Sequence, residues 1–191
     1  PSDARVAIHF DANGQPNGWA SPAMAVFLMP VLAWLLWGLM RLLHKIDPRG
    51  DNLRQSAGAV RTISLTLTCL LAAVQAVIVA GALGAPAPKS SFGLLLVGGV
   101  LLVTGNVMGK LRPNHFVGIR TPWTLANDRV WDQTHRYGGK VFVLGGALLC
   151  VLGALGQVPG REGPAILVVT LACGGLVTWR SYRLWRALPP H

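Results

Sequence analysis

The sequence predicts an all-α protein, a polytopic transmembrane helix bundle with five spans. Three observations predict it. Apolar residues make up 52% of the 191 residues and charged residues only 13%, about half the ~25% of an ordinary soluble domain, with a mean hydropathy of +0.47. Five stretches approach the roughly 17–25 apolar residues that a bilayer core requires. Basic residues alternate strictly between the segments that join those stretches. This composition excludes a disordered chain, which is poor in apolar residues. It also excludes a water-soluble globule, which would expose large apolar patches. The net charge of +10 reads first as a topology signal, because nucleic-acid binding needs a basic soluble face with a motif and no such domain is visible.

Before the first span, Ile8 to Trp19 carries Asp-Ala-Asn-Gly and Pro-Asn-Gly. These are turn formers, because Asn and Gly accept positive φ. They predict an ordered extracytoplasmic loop ending in an interfacial Trp19. His9 and Asp11 are two candidate metal ligands, too few for a site. The first span is Pro22 to Met40, with Trp34 and Trp37 late in it and suited to the interface. The second is Ile63 to Ala85, with Ala72, Ala76, Ala80 and Gly84 as a small-residue stripe for close helix approach. The third, Phe92 to Gly109, ends in a GxxxG at Gly105 and Gly109. The fourth, Val141 to Val158, carries Gly145, Gly146, Gly153 and Gly156. The fifth, Ala165 to Trp179, carries Gly174 and Gly175. It is the shortest, and Arg180, Tyr182, Arg183, Trp185 and Arg186 extend it into the headgroups. Cys69, Cys150 and Cys173 all lie in apolar runs and read as small apolar filler.

Gln75 and Asn106 are the strongest polar groups within the spans. An amide facing lipid is costly, so each is expected to face the bundle, either bonding between helices or lining a polar path. No acid lies deep in a span, which argues against an ion-coupled pump. The connections Ala85–Pro88 and Val158–Gly160 are short and imply antiparallel neighbours.

From the N-terminus onward the joining segments carry 1, 5, 1, 6, 1 and 3 basic residues. By the positive-inside rule the segments with 5, 6 and 3 are cytoplasmic. The C-terminus is then inside and Pro1 outside. No signal-peptide core lies in residues 1–21, so a sixth, N-terminal span upstream of Pro1 is expected to deliver it. The organisation expected is residues 1–61 as outer loop, first span and basic loop; 62–91 as second span and short outer loop; and 92–191 as a three-span unit around the longest loop.

That loop, Gly105 to Lys140, is the least generic stretch. Lys110 and Arg112 favour a helix C-terminus, and Pro113 breaks the helix. Gly118-Ile119-Arg120-Thr121-Pro122-Trp123 reads as a constrained apolar-basic loop. Thr124 then caps a short helix from Leu125 to Tyr137, which Trp123 and Trp131 fit to the interface and Gly138-Gly139 ends. Asp132 and Arg136 are spaced for an i, i+4 ion pair. Arg120 is placed to bond Asp128, Asp132 or backbone carbonyls. His115, Asp128, Asp132 and His135 are a conceivable metal or acid/base cluster. Their spacing matches no established motif, and no nucleophile has a partner.

Asn114 to Lys140 resembles the signature of the SdpI family of bacterial membrane proteins, in which N-x-F-x-G-I-R-T-P-W-T-L precedes V-W-x-x-T-H. The residues carrying it are Asn114, Phe116, Gly118, Ile119, Arg120, Thr121, Pro122, Trp123, Thr124 and Leu125, then Val130, Trp131, Thr134 and His135. The loop with His9, Phe10, Gly14 and Trp19 resembles a domain of uncharacterised function often fused to that family. The resemblance implies a multi-pass protein of the bacterial cell membrane that protects against a secreted peptide toxin by binding, without catalysis, cofactor or metal. It also implies signalling through a cytoplasmic transcriptional repressor, and an additional N-terminal helix. Two other classes are weighed against it. A small transporter or channel would use Gln75, Asn106 and the Arg120 loop. A membrane enzyme would use His115, Asp132 and His135.

Overall fold

The computed structural model describes residues 5–11, 15–86, 88–89, 91–156 and 160–189. Gly14 and most of the Val158–Gly160 turn lie outside the described residues, as does the Phe10 side chain. Five helices are long and apolar enough to cross a membrane: α1 (Pro22–Ile46), α3 (Ala57–Ala82), α4 (Ser91–Met108), α6 (Asp128–Leu155) and α7 (Glu162–Arg186). Two short helices, α2 (Gly50–Gln55) and α5 (Pro122–Ala126), and two strands, β1 (Val6–Phe10) and β2 (Pro16–Ala20), complete the order. The all-α, five-span bundle is thus the architecture found, with differences at its ends.

The segment read as a loop is an antiparallel hairpin in which Val6 faces Ala20 and Ala7 faces Trp19. Where the strands are joined, the Asp11 N–H donates to the Gln15 carbonyl, and the Asp11 carboxylate accepts the Gln15 N–H, both at 2.8 Å. Gly18 sits opposite His9, and a Cβ there would lie 2.8 Å from His9 Cβ. The hairpin rests on α1 and α3. Ser21 then caps α1, accepting the Met24 N–H, with Pro22 in the first turn, where its missing donor costs nothing.

α4 and α6 form the closest helix pair. A Cβ on Gly98 would fall 2.8 Å from the Gly146 carbonyl oxygen, and one on Gly139 would fall 2.7 Å from that of Gly105. These glycines let two backbones touch. That contact also explains why α6 is unbroken from Asp128 to Leu155, where a short interfacial helix ending at Gly138-Gly139 was expected. Glycine costs a helix about 1 kcal/mol per residue, and here buried packing on both sides holds the pair helical.

Three further expectations are corrected. Asn106 is exposed on α4. It follows Gly105, and one residue turns about 100° around a helix, so it leaves the packed face of Gly98, Leu101 and Gly105. Ala72, Ala76 and Ala80 are likewise exposed, and Gly84 lies beyond α3 at φ +86°, so this stripe is not a helix contact. Gly174 and Gly175 also meet nothing within 4 Å. Gln75 does bond between helices, its Nε2 donating to the Ala25 carbonyl of α1 at 3.1 Å.

Helices of 25 and 26 residues rise about 37–39 Å. The hairpin therefore lies at one end of α1 and α3, and the Arg41–Arg61, Lys110–Lys140 and C-terminal segments gather at the other.

Candidate functional site

At that second end, residues 110–126 fold into a hydrogen-bonded knot between the helix termini. Its centre is Asn114, 1% exposed. The Asn114 Oδ1 accepts the N–H groups of Phe116 (2.9 Å) and Val117 (2.7 Å), while its Nδ2 donates to the carbonyls of Arg112 (2.9 Å) and Val117 (3.0 Å). Every hydrogen-bonding position of the amide is used, and the chain turns back around it.

The return passes Gly118 at φ +119°, where only glycine is comfortable. A Cβ there would sit 2.4 Å from His135 Nε2. The next residue uses that nitrogen: the Ile119 N–H donates to His135 Nε2 at 2.9 Å. On its other side His135 Nδ1 lies 2.9 Å from the Trp131 carbonyl. Since Nε2 accepts, Nδ1 carries the proton and donates. The imidazole is neutral, fully buried and stacked on Trp131 with centroids 4.0 Å apart. Trp131 was expected at the interface, but it is fully buried and donates from Nε1 to the Leu111 carbonyl at 2.9 Å.

Thr121 caps α5 through a reciprocal box. Its Oγ1 accepts the Thr124 N–H (3.2 Å), and Thr124 Oγ1 accepts the Thr121 N–H (2.9 Å) while donating to the Ile119 carbonyl (2.8 Å). Thr124 is therefore inside α5, with Pro122 in its first turn, and Asn127 is the residue that caps α6 by accepting the Val130 N–H. From α7, Ser181 Oγ meets Thr121 Oγ1 at 3.1 Å, and Tyr182 packs on Trp123 with centroids 5.1 Å apart. Thr134 is fully buried, yet its hydroxyl has no hydrogen-bond partner among the described residues. Arg120 donates from Nη1 to the His115 carbonyl at 2.9 Å and leaves the rest of its guanidinium in the open. That is the backbone-carbonyl option among its expected partners. Phe116 is 38% exposed, so the knot presents Phe116 outward as an apolar point, with Arg120, Arg112 and Lys110 as exposed cations.

Sequence reasoning missed the residues that tie the knot down. Arg41–Arg61 read only as a basic loop, but Asp47 is 6% exposed. Its Oδ2 accepts the His115 N–H (2.8 Å), and its Oδ1 meets the His115 ring Nδ1 (2.9 Å) and the Arg49 N–H (2.7 Å). Burial alone would raise this carboxyl, but the His115 ring, the His115 N–H and the Arg49 N–H together hold it below its ordinary value. Ser56 Oγ accepts the Arg112 N–H at 2.8 Å, and Asn52 Nδ2 donates to the Pro113 carbonyl at 2.8 Å. Beneath them Leu43, Leu53, Leu111, Val117 and Trp131 form one buried cluster. The available signal was polar Asp47, Asn52 and Ser56 within a short stretch between two apolar spans.

The conceivable acid/base cluster is not assembled. His115 is engaged by Asp47, Asp132 is exposed, and both ring nitrogens of His135 are occupied. Asp128 pairs instead with Arg49 at 2.7 Å, and the expected Asp132–Arg136 pair is not among the ion pairs of the described residues. No group of three His, Cys, Asp or Glu among the described residues is placed to hold a metal.

The hairpin end carries a different feature. A groove of about 940 Å³ opens between the hairpin and α3, lined by Ala7, Trp19, Ala76, Ala80, Pro86 and Phe92, with Arg5 at its edge.

Fold and site together define a multi-pass helical membrane protein with an ordered polar knot at one end and a groove at the other. Residues 110–181 match the SdpI/YfhL protein family, so this stretch is similar to that family. Residues 3–33 match a domain of unknown function, DUF1648. Among curated proteins the chain is similar to "Immunity protein SdpI" of Bacillus subtilis (strain 168), 43% identical over 56 residues, which is 29% of this chain and 27% of that protein. It is also similar to "Uncharacterized protein YfhL" of the same organism, 31% identical over 64 residues, 31% of this chain and 58% of that one. Less than two thirds of either relative is therefore spanned. No solved structure matches.

Proposed function

We propose that this protein confers resistance to a secreted, membrane-active peptide by binding it, without turnover. The similarity to an immunity protein supports the class. The groove between the hairpin and α3 is the observation that carries the binding step. Its small residues, Ala76 and Ala80, allow an amphipathic helix to approach the α3 backbone closely, and its aromatic rim offers Trp19 and Phe92.

In this reading the hairpin end is extracytoplasmic and the knot end cytoplasmic, because the three arginine- and lysine-rich segments share the knot end. α1 joins the two ends, running from the hairpin to Asp47, which holds His115. A peptide that shifts α1 would bias the knot between two arrangements. Phe116 and Arg120 are then the points a cytoplasmic repressor would read. A transport path is less well supported, since Asn106 faces outward and Gln75 donates to Ala25.

The test is expression of the full-length protein in a sensitive bacterial strain, followed by challenge with a panel of amphipathic peptide toxins. Survival at concentrations that kill the empty-vector strain is expected for at least one peptide. Unchanged killing across the panel, with the protein correctly inserted, overturns the proposal, and flux in proteoliposomes would then favour the transporter.

A further inference from the structure

A second cavity, of about 640 Å³, lies at the knot end between α1, α2 and α3. Its inner wall is apolar: Leu43, Leu53 and Val60, with Trp37 and Leu65 toward the outside. Arg41, Arg54 and Arg61 ring it, one from each of the three helices, and no Asp or Glu lines it. Arg41 lies over the Trp37 ring at 3.9 Å. Arg54 has only an exposed contact with Asp51 at 3.4 Å, the kind of surface pair that contributes little. Arg61 makes no ion pair among the described residues. Trp37 and Leu65 are about half exposed on helices whose most apolar stretches are only 6% and 11% buried within the protein.

We infer that this cleft holds one anionic phospholipid of the surrounding bilayer, its phosphate between the three guanidiniums and its acyl chains along Trp37 and Leu65. Charge complementarity commits it to an anionic headgroup. Guanidinium forks match phosphate oxygens bidentately, and basic pockets between membrane helices suit such headgroups. The continuous apolar wall, opening sideways past an interfacial tryptophan, requires a ligand with hydrocarbon attached. Leu43 and Leu53 belong to both the cleft wall and the buried cluster under Trp131. The lipid therefore braces the floor of the knot. This site is independent of the peptide groove at the opposite end, and its test does not depend on resistance.

The experiment uses purified full-length protein in detergent, titrated with dioleoyl-phosphatidylglycerol, with dioleoyl-phosphatidylcholine and with inorganic phosphate. Retained lipid is counted by native mass spectrometry, and melting is followed by tryptophan fluorescence. Phosphatidylglycerol is expected to bind one to a protein and raise the Tm, and the other two are not. R41Q with R61Q is expected to weaken that binding on the order of tenfold or more, and R41K with R61K by less. R183Q, on α7 away from the cleft, should leave it unchanged. Equal binding of phosphatidylcholine, equal stabilisation by phosphate alone, or an equal loss in R183Q would overturn the assignment.

Discussion

The α4–α6 pair and the α1–α3 pair are both antiparallel apolar helices, yet they are built differently. In α6, 33% of the most apolar stretch is buried within the protein, against 6% in α1. Gly98, Gly105, Gly139 and Gly146 bring α4 and α6 to backbone contact. α1 and α3 share a half-buried amide bond, from Gln75 to Ala25, with the groove between α3 and the hairpin at one end and the cleft between the two helices at the other. Large apolar side chains such as Phe27 and Trp34 of α1 face outward, 63% and 73% exposed. Small residues therefore act in two ways: placed face to face they build a rigid pair, and left unpartnered, as Ala76 and Ala80 are, they make room for something else.

The largest effect is expected at the tight pair. A leucine replacing Gly146 drives a side chain into Gly98 O, 2.6 Å from where its Cβ would stand. We expect a loss above the about 1–3 kcal/mol typical of overpacking, read as SDS-induced unfolding in mixed micelles. Gly174→Ala, with nothing within 4 Å, should be neutral or stabilise the helix by up to about 1 kcal/mol. Equal losses at the two positions would erase the distinction between the pairs.

Gly118→Ala comes next. It strains a backbone at φ +119° and pushes against His135 Nε2. About 1–3 kcal/mol of strain adds to the Ile119–His135 hydrogen bond, about 1 kcal/mol net. Unchanged unfolding in this variant would show that the knot tolerates another path.

His135→Phe keeps the stacking on Trp131 but orphans the Ile119 N–H, at a cost of about 1–3 kcal/mol. His135→Gln should recover part of it. Equal stability of the two would place the imidazole's contribution in packing alone.

Asp47 gives a pH dependence. Its carboxyl is held below the ordinary value, so its contribution is complete above about pH 4, the unfolded Asp value, and is lost as pH falls through the lowered folded one. Asp47→Asn should flatten the acid limb of the unfolding profile, and an unchanged limb would contradict this. The smallest effect is expected for Arg49→Ala, which removes a surface ion pair to Asp128 and should cost no more than about 1 kcal/mol.

The spans were legible because length and hydropathy alone decide them, and the 5, 6 and 3 basic residues on alternate segments gave the same count. The Asn114–His135 motif was legible as a motif, but its purpose was not. Asn114 and His135 work through bonds to their own backbone neighbourhood, which spacing does not reveal. Asp47, 68 positions before His115, was invisible because its partner is set by how α1 ends. The Gly138-Gly139 pair misled because glycine punctuates an isolated helix and also permits close packing in a bundle.

The central claim is that the loosely packed half receives the peptide. A photo-crosslinking amino acid placed at position 76, in the groove, or at position 174, on the exposed face of α7, tests it most directly. Cells protected by the protein would be irradiated in the presence of the peptide they resist. A peptide adduct at 76 and none at 174 is expected. Equal adducts at both positions, or an adduct at 174 alone, would contradict it.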